Sequence, residues 1–110
     1  MDYFVRTMLH GNVETLVLAL LTHEPKYAYR LRQELAERSG NRIQVSRGHL
    51  YPLLRRMERR GLVRSRAPSA TDHRQRRYYS LTPTGRRALR DRAAGWRRMT
   101  EAIGQFLKHV

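Results

Sequence analysis

Ser46-Arg47-Gly48-His49-Leu50-Tyr51-Pro52-Leu53-Leu54-Arg55-Arg56-Met57-Glu58-Arg59-Arg60-Gly61-Leu62-Val63 carries a start signal, a stop signal and a two-faced interior. Ser46 has the side chain of an N-cap, because its hydroxyl can accept a hydrogen bond from a free first-turn amide. Gly61 stands where a left-handed C-cap is favoured. Leu50, Leu53, Leu54 and Met57 recur at helical spacing and form one apolar face. The opposite face carries Gly48, Pro52, Arg55 and Arg59, flanked by Tyr51 and Arg56. One side suits a core. The other offers cations, a phenolic hydroxyl and little bulk near its N-terminus, which is what a helix lying in a DNA major groove needs. Pro52 lacks an amide donor, so its position predicts a helix that begins at Gly48 or later.

Upstream of this stretch, Ile43 and Val45 alternate with Arg42 and Gln44, a pattern for a very short strand or an extended lead-in. Gly40-Asn41 is a stop and turn. Before it, Tyr27-Ala28-Tyr29 opens a helix running to about Ser39, with Ala28, Leu31, Leu35 and Ala36 toward the core. A further helix starts at Gly11 or Asn12. It is apolar nearly all round (Val13, Leu16, Val17, Leu18, Ala19, Leu20, Leu21), the mark of a buried helix. Thr22-His23-Glu24-Pro25 ends it. Phe4, Val5, Met8 and Leu9 suggest a short amphipathic helix, too short to stand alone, that must pack on something such as a second subunit.

Downstream, Leu62 to Arg66 alternates, residues 67–75 read as a hairpin loop, and Arg76-Arg77-Tyr78-Tyr79-Ser80-Leu81 is strand-like. Tyr78 and Tyr79 point to opposite faces, so one belongs to the core. Three helices followed by a two-stranded hairpin is the order of a winged helix-turn-helix. Thr82 and Pro83 then supply an N-cap and first helical residue. The helix they start can reach Lys108, a length of roughly 40 Å. Along it Leu89, Arg92, Trp96, Met99, Ile103, Phe106 and Val110 repeat at alternating spacings of three and four, with Ala93 and Leu107 widening the stripe. That is a coiled-coil-like seam. A small domain cannot easily cover so long a stripe, so a second copy of the chain is the expected partner; folding back on its own domain is the alternative. The expected architecture is mainly α with a small β hairpin: an N-terminal segment and winged helix-turn-helix over residues 1–82, and a dimerisation helix over 83–110.

Charge is distributed unevenly. The formal net charge is +14, yet residues 1–45 hold six basic and five acidic side chains, residues 46–98 hold sixteen and three, and residues 99–110 one of each. A solvated surface usually mixes its signs, so a block of +13 implies a polyanionic partner. With no cysteine, disulfides and thiolate metal sites are excluded, and a reducing cytoplasm is the simplest home. No run of about 18 apolar residues suggests a membrane span, and the N-terminus does not read as a signal peptide. His10, His23, His49, His73 and His109 show no metal-ligand spacing. No nucleophile triad, glycine-rich phosphate loop or paired carboxylate appears. Neither catalysis nor a cofactor is expected.

With these pieces in place the sequence resembles the PadR family of bacterial transcriptional regulators, in its short form with one C-terminal helix. The resemblance rests on Glu24-Pro25-Lys26-Tyr27-Ala28-Tyr29, on Gly48-His49-Leu50-Tyr51-Pro52-Leu53-Leu54 with Gly61-Leu62-Val63, and on Arg77-Tyr78-Tyr79-Ser80-Leu81-Thr82 with Gly85. It implies that the helix holding Leu50-Tyr51-Pro52 enters the major groove, that the wing meets flanking DNA, and that the last helix makes a homodimer. It also implies a repressor released by a small aromatic or drug-like compound near the dimer interface. Ala28 stands where the family commonly has Gly, and His49 where a small residue is usual. Arg74-Gln75-Arg76-Arg77 replaces the usual Gly-Pro approach to the second wing strand.

The candidate contacts to double-stranded DNA are Ser46, Arg47, His49, Tyr51, Arg55, Arg56, Arg59, Arg74, Arg76 and Arg77. Arg47 is best placed to read bases, and Arg55, Arg56 and Arg59 to hold phosphates; a solvated charged face is the competing reading. Arg76 and Arg77 could instead pair with Glu58 or Asp72. The dimer candidates are Phe4, Met8, Leu89, Trp96, Met99, Ile103, Phe106 and Val110. Two Trp96 indoles meeting across a two-fold axis would form the walls of a flat apolar slot, with Met8, Val13, Met99 and Ile103 as neighbours. Alternatively Trp96 is simply dimer core. Two other classes of function remain: a structural nucleic-acid binder indifferent to sequence, and a winged-helix protein-interaction module.

Overall fold

A computed structural model describes residues 3–110. Its elements are α1 (Tyr3–Leu9), α2 (Val13–Leu20), β1 (Lys26–Tyr27), α3 (Ala28–Arg38), α4 (Arg47–Arg59), β2 (Val63–Arg66), β3 (Tyr78–Leu81) and α5 (Pro83–Leu107). Helix α5 packs on α2, α2 on α3, and α3 on α4, while the sheet closes the open side of α4. Leu18, Leu21, Leu31, Leu50, Leu54 and Met57 are fully buried where these layers meet. Ile43, Val45 and Leu53 pack against that core from its edge. Among the described residues, no helix is long and apolar enough to cross a membrane.

Capping fixes the ends of the two central helices. Ser46 is extended, and its Oγ accepts from the His49 amide at 3.3 Å. The helix therefore begins at Arg47, earlier than Pro52 had suggested, and runs through that proline. Burial of Leu50, Leu54 and Met57 outweighs the one lost backbone bond. At the other end Gly61 takes φ +76°, its amide donates to Glu58 O at 3.0 Å, and the Leu62 amide to Met57 O at 2.9 Å. These are the two bonds of a Schellman cap. Helix α3 ends the same way at Gly40, with Asn41 N–H donating to Ala36 O at 2.7 Å.

The sheet has three strands, not two. Strand β3 lies in the middle, antiparallel to both neighbours, in the order β1-β3-β2. Lys26 pairs with Tyr79 and Tyr27 with Tyr78; Val63 pairs with Leu81. Tyr79 points inward and is buried, and Tyr78 stands on the other face, edge-on to Tyr27 with ring centroids 5.4 Å apart. Tyr27 thus belongs to a strand rather than to the first turn of α3. The lead-in around Ile43 and Val45 forms no strand.

The start of α5 is locked to the end of α4. Thr82 Oγ1 donates toward Gly61 O at 2.6 Å and lies 3.0 Å from Leu62 O, and it accepts from Gly85 N–H at 2.9 Å. A Cβ on Gly85 would lie 2.1 Å from Leu62 O, a backbone atom that cannot swing aside. Gly85→Ala should therefore cost at least about 3 kcal/mol by overpacking. Gly104→Ala meets nothing within 4 Å and should be neutral or stabilising by up to about 1 kcal/mol. Chemical denaturation of the two variants checks this; equal midpoints would contradict the close approach at Gly85.

Candidate nucleic-acid interface

The turn before α4 is held from both sides. Ser39 Oγ accepts from Ile43 N–H at 2.8 Å and donates to Leu35 O at 2.7 Å, and Arg32 Nε donates to Val45 O at 2.9 Å. These bonds fix the angle at which α4 leaves α3 and present its polar face outward. Ser46, Arg47, His49, Tyr51, Arg55, Arg56 and Arg59 are all exposed. The Arg47 guanidinium sits over the Tyr51 ring at 5.7 Å, a cation–π contact that orders both side chains at the start of the helix.

An open groove runs between α4, the start of α3 and the wing. It is lined by Tyr27, Tyr29, Arg32, Arg47, Tyr51, Arg55, Arg74, Arg76 and Arg77, with Glu58 as its one carboxylate. Three of the α4 candidates and all three wing candidates thus share one concave, cationic, tyrosine-bearing surface. Ser46 is used as the cap, and His49 stands beside it with Nδ1 3.4 Å from Ser46 Oγ. Arg56 and Arg59 project further round α4 and do not line the groove.

The wing is organised by Asp72, which Arg76 takes as its partner in place of Glu58. Its Oδ1 accepts from Arg74 N–H at 2.9 Å; its Oδ2 accepts from Arg76 N–H at 3.2 Å and from Arg76 Nε at 3.1 Å. Gln75 turns through φ +54° between them. The Arg76 hydrogen bond is the largest influence on the Asp72 carboxyl and, against partial desolvation, holds its pKa below the ordinary carboxylate value. Arg76 also lies over the Tyr27 ring at 5.1 Å, tying wing to β1. Arg77 donates to Ser65 Oγ at 3.1 Å, and that hydroxyl donates to Glu58 at 2.7 Å. Arg76 is therefore wing framework, Arg77 is lightly tethered, and the Arg74 guanidinium has no ion pair or hydrogen bond among the described residues. An Asp two and four residues before exposed amides was a readable turn signal.

Two polar brackets hold this surface in place. Glu34 accepts from Lys26 Nζ at 2.7 Å and Arg30 Nε at 2.6 Å, fastening β1 to α3. Burial alone would raise the Glu34 pKa, but the two cationic donors outweigh it and hold it below its ordinary value. Glu14 of α2 lies between Arg60, at 2.9 Å, and Arg92, at 2.7 Å, joining the end of α4 to α5. Arg92 was the one polar member of the seam, and Glu14 accounts for it.

The seam itself divides. Leu89 packs on the core, and Trp96 is half-buried, its Nε1 donating to Asn12 Oδ1 at 3.2 Å while Asn12 Nδ2 donates to Met8 O at 3.0 Å. Val13 is half-buried nearby. Beyond Trp96 the helix leaves its own domain: Met99, Ile103, Phe106 and Val110 are exposed, as are Phe4 and Met8 on α1. Trp96 lines neither the groove above nor a small apolar one between α2 and α3. Among the described residues, no three His, Asp or Glu side chains are grouped to hold a metal.

A three-helix scaffold that projects α4 beside a β wing defines a winged helix-turn-helix protein. Residues 17–91 match the transcriptional regulator PadR-like family, and the chain belongs to it. A PadR family regulator from Eggerthella lenta is similar at 33% identity and a TM-score of 0.82, covering 97% of this chain and 91% of its own. A PadR-like transcription factor from Bacteroides fragilis is 32% identical with a TM-score of 0.76, covering 96% and 99%. An uncharacterised protein of Lysinibacillus sphaericus is 25% identical over 92% of this chain and 93% of its own. Family membership makes the chain a transcriptional regulator and not an enzyme, as the sequence had indicated.

The depressed Glu34 pKa has a sign that can be tested. The stability it contributes is fully present above its unfolded value of 4.5 and is lost as pH falls through the lower folded value. Glu34→Gln should therefore lower the urea midpoint at pH 7, and the gap from wild type should close in acid below the folded value. A gap that stays constant with pH would show that the ion pairs do not carry the difference.

Proposed function

We propose that the chain is a homodimeric DNA-binding repressor, with α4 in the major groove and the wing on flanking backbone. The single observation that carries the DNA reading is the shared groove, where Arg47, Tyr51 and Arg55 of α4 meet Arg74, Arg76 and Arg77 of the wing. Small bulk at Gly48 lets the helix approach closely, and Arg47 sits at the helix start, where base edges are read. Arg55, Arg56 and Arg59 are placed for phosphates, the contacts that supply salt-dependent affinity. In a two-fold dimer the two α4 helices would enter successive major grooves about 34 Å apart.

The exposed half of the seam supports dimerisation. Met99, Ile103, Phe106 and Val110 form an uncovered stripe on α5, and Phe4 and Met8 add to it from α1. Trp96 lies where α5 parts from its own domain, so a second copy would complete the walls around it. An aromatic effector held there would touch Asn12 and through it the α1–α2 turn, and would relieve DNA binding by shifting α5. The favoured reading over a purely structural nucleic-acid binder is the ordered pairing of Arg47 with Tyr51, which sets one cation for a fixed position.

Binding to DNA upstream of the chain's own gene should exceed binding to random DNA of equal length by about a thousandfold. Equal affinity for the two DNAs, falling steeply between two salt concentrations, would leave either a missing operator or the structural binder. Arg55→Ala should weaken binding to all DNA about equally, whereas Arg47→Ala should relax preference at one operator position by about 1–3 kcal/mol. Uniform loss on specific and random DNA for Arg47→Ala would remove its base-reading role.

Ile103→Asp should convert the dimer to monomer in sedimentation without unfolding it, since Ile103 is exposed and outside the core cluster of its own chain. Trp96→Ala should abolish effector response or weaken the dimer. A dimeric variant with unchanged response would take Trp96 out of the site.

A further inference from the structure

Helix α5 has a second face that neither the core nor the seam uses. Around the helix axis, the apolar positions from Leu89 to Val110 occupy an arc of about 100°. Centred roughly opposite is a ridge of Arg86, Arg87, Arg90, Arg97, Arg98 and Lys108, all exposed. Covering the seam with a second copy leaves this ridge in water. It also lies on the outer layer of the stack, because α5 packs on α2, α2 on α3, and α3 on α4. None of the ridge residues lines the groove that α4 shares with the wing.

The ridge is electrostatically unfavourable for the helix that bears it. Arg86 and Arg90 are like charges four residues apart, and Arg87 and Arg90 three apart, spacings at which repulsion destabilises a helix. Arg86 and Arg87 also sit near the N-terminus, where the macrodipole disfavours cations, and the first turn holds no acidic residue. Compensation is slight. Arg86 donates to Thr22 O and Arg87 to Thr84 Oγ1. The guanidinium groups of Arg90, Arg97 and Arg98 form no ion pair or hydrogen bond among the described residues, and Asp91 and Glu101, the acids on the same side, bridge to none of them. Elsewhere the chain does pair its partly buried carboxylates: Glu14 and Glu34 each hold two cations. Uncompensated cations in a row of roughly 18 Å, from Arg86 to Arg98, match a row of phosphates better than a mixed protein surface.

We infer that the α5 ridge is a second, sequence-indifferent site for the phosphate backbone of duplex DNA, which lets one protein molecule hold a second DNA segment while α4 engages the first. The site extends the DNA-binding reading, since it adds bridging of segments to recognition of one.

The test uses the full chain, a fluorescent random-sequence duplex in solution and a second random duplex fixed to beads. Three forms of the protein are compared: wild type, the combined ridge variant Arg90→Gln, Arg97→Gln, Arg98→Gln, and the combined recognition-face variant Arg55→Gln, Arg59→Gln. All five positions are exposed, so each variant should fold, and circular dichroism verifies that first. Wild type should carry the fluorescent duplex onto the beads. The ridge variant should carry at least about tenfold less, with the salt dependence of bridging flattened by about two to three units of slope, while single-duplex binding falls less than about threefold. Bridging equal to wild type would overturn the ridge and leave it to an acidic protein surface. A parallel loss of bridging and single-duplex binding would also overturn it, because ridge and recognition face would then share one duplex. Failure of the underlying reading looks different: the recognition-face variant would bind single duplex as wild type does.

Discussion

One hydroxyl, on Thr82, ties together the elements that must not move independently. It caps α5 through Gly85 N–H and at the same time reaches the carbonyls of Gly61 and Leu62, where α4 has ended and β2 is about to begin. The Thr82 amide adds a bond to Leu62 O at 3.2 Å. Gly85 permits the approach, since a side chain there would occupy the space of that same carbonyl. The recognition helix, the wing and the long helix thus meet at one joint a few residues wide. Its geometry is set by backbone atoms, which pack more rigidly than side chains do.

Glu14 repeats the tie from the opposite side of the domain, gripping Arg60 and Arg92. A carboxylate this well covered with two guanidinium partners adds little net stability over an apolar contact, but leaving one charge unpaired would be costly. Its effect is on arrangement: α4 and α5 hold one relation because only that relation satisfies all three charges. Asn12 does the same with neutral groups, joining Trp96 to the α1–α2 turn. The seam of α5 is therefore held by polar bonds at Arg92 and Trp96 where it lies on its own domain, and has only apolar members where it leaves it. That change of chemistry at Trp96 separates the part of the helix that belongs to one domain from the part left uncovered.

Local signals were the legible ones. The Ser46 cap, the Gly61 terminator and the Thr82-Pro83 start each depend on a few neighbouring residues, and each is found where the spacing placed it. The buried faces of α3 and α4 followed from periodicity. What escaped depends on distant partners. Strand β1 is two residues long, too short for any period, and exists only because β3, some fifty residues on, offers it a ladder. Arg92 read as a flaw in an apolar stripe because its partner Glu14 lies on another helix. The cationic surface of α4 and the wing was legible as a set of residues but not as a shape. Sequence placed Arg56 and Arg59 beside Arg55, whereas the groove takes Arg55 and excludes the other two, since the wing covers only one flank of α4. Arg76 was legible as a wing cation, yet its charge is engaged by Asp72 within the loop itself.

The length of α5 past its joint has a mechanical meaning. Its 25 residues make a rod of about 37 Å, anchored at Thr82 and Gly85 and unsupported beyond Trp96. The stretch past Trp96, about 16 Å long, works as a lever: a tilt of about 5° at Trp96 displaces the tip by roughly 1.5 Å. Angular play at the joint is thereby converted into play in the distance between whatever the two ends hold. Because the anchor is a threonine hydroxyl against two carbonyls and a glycine with no room to spare, that play is small, and the exposed end of α5 keeps a defined direction relative to α4.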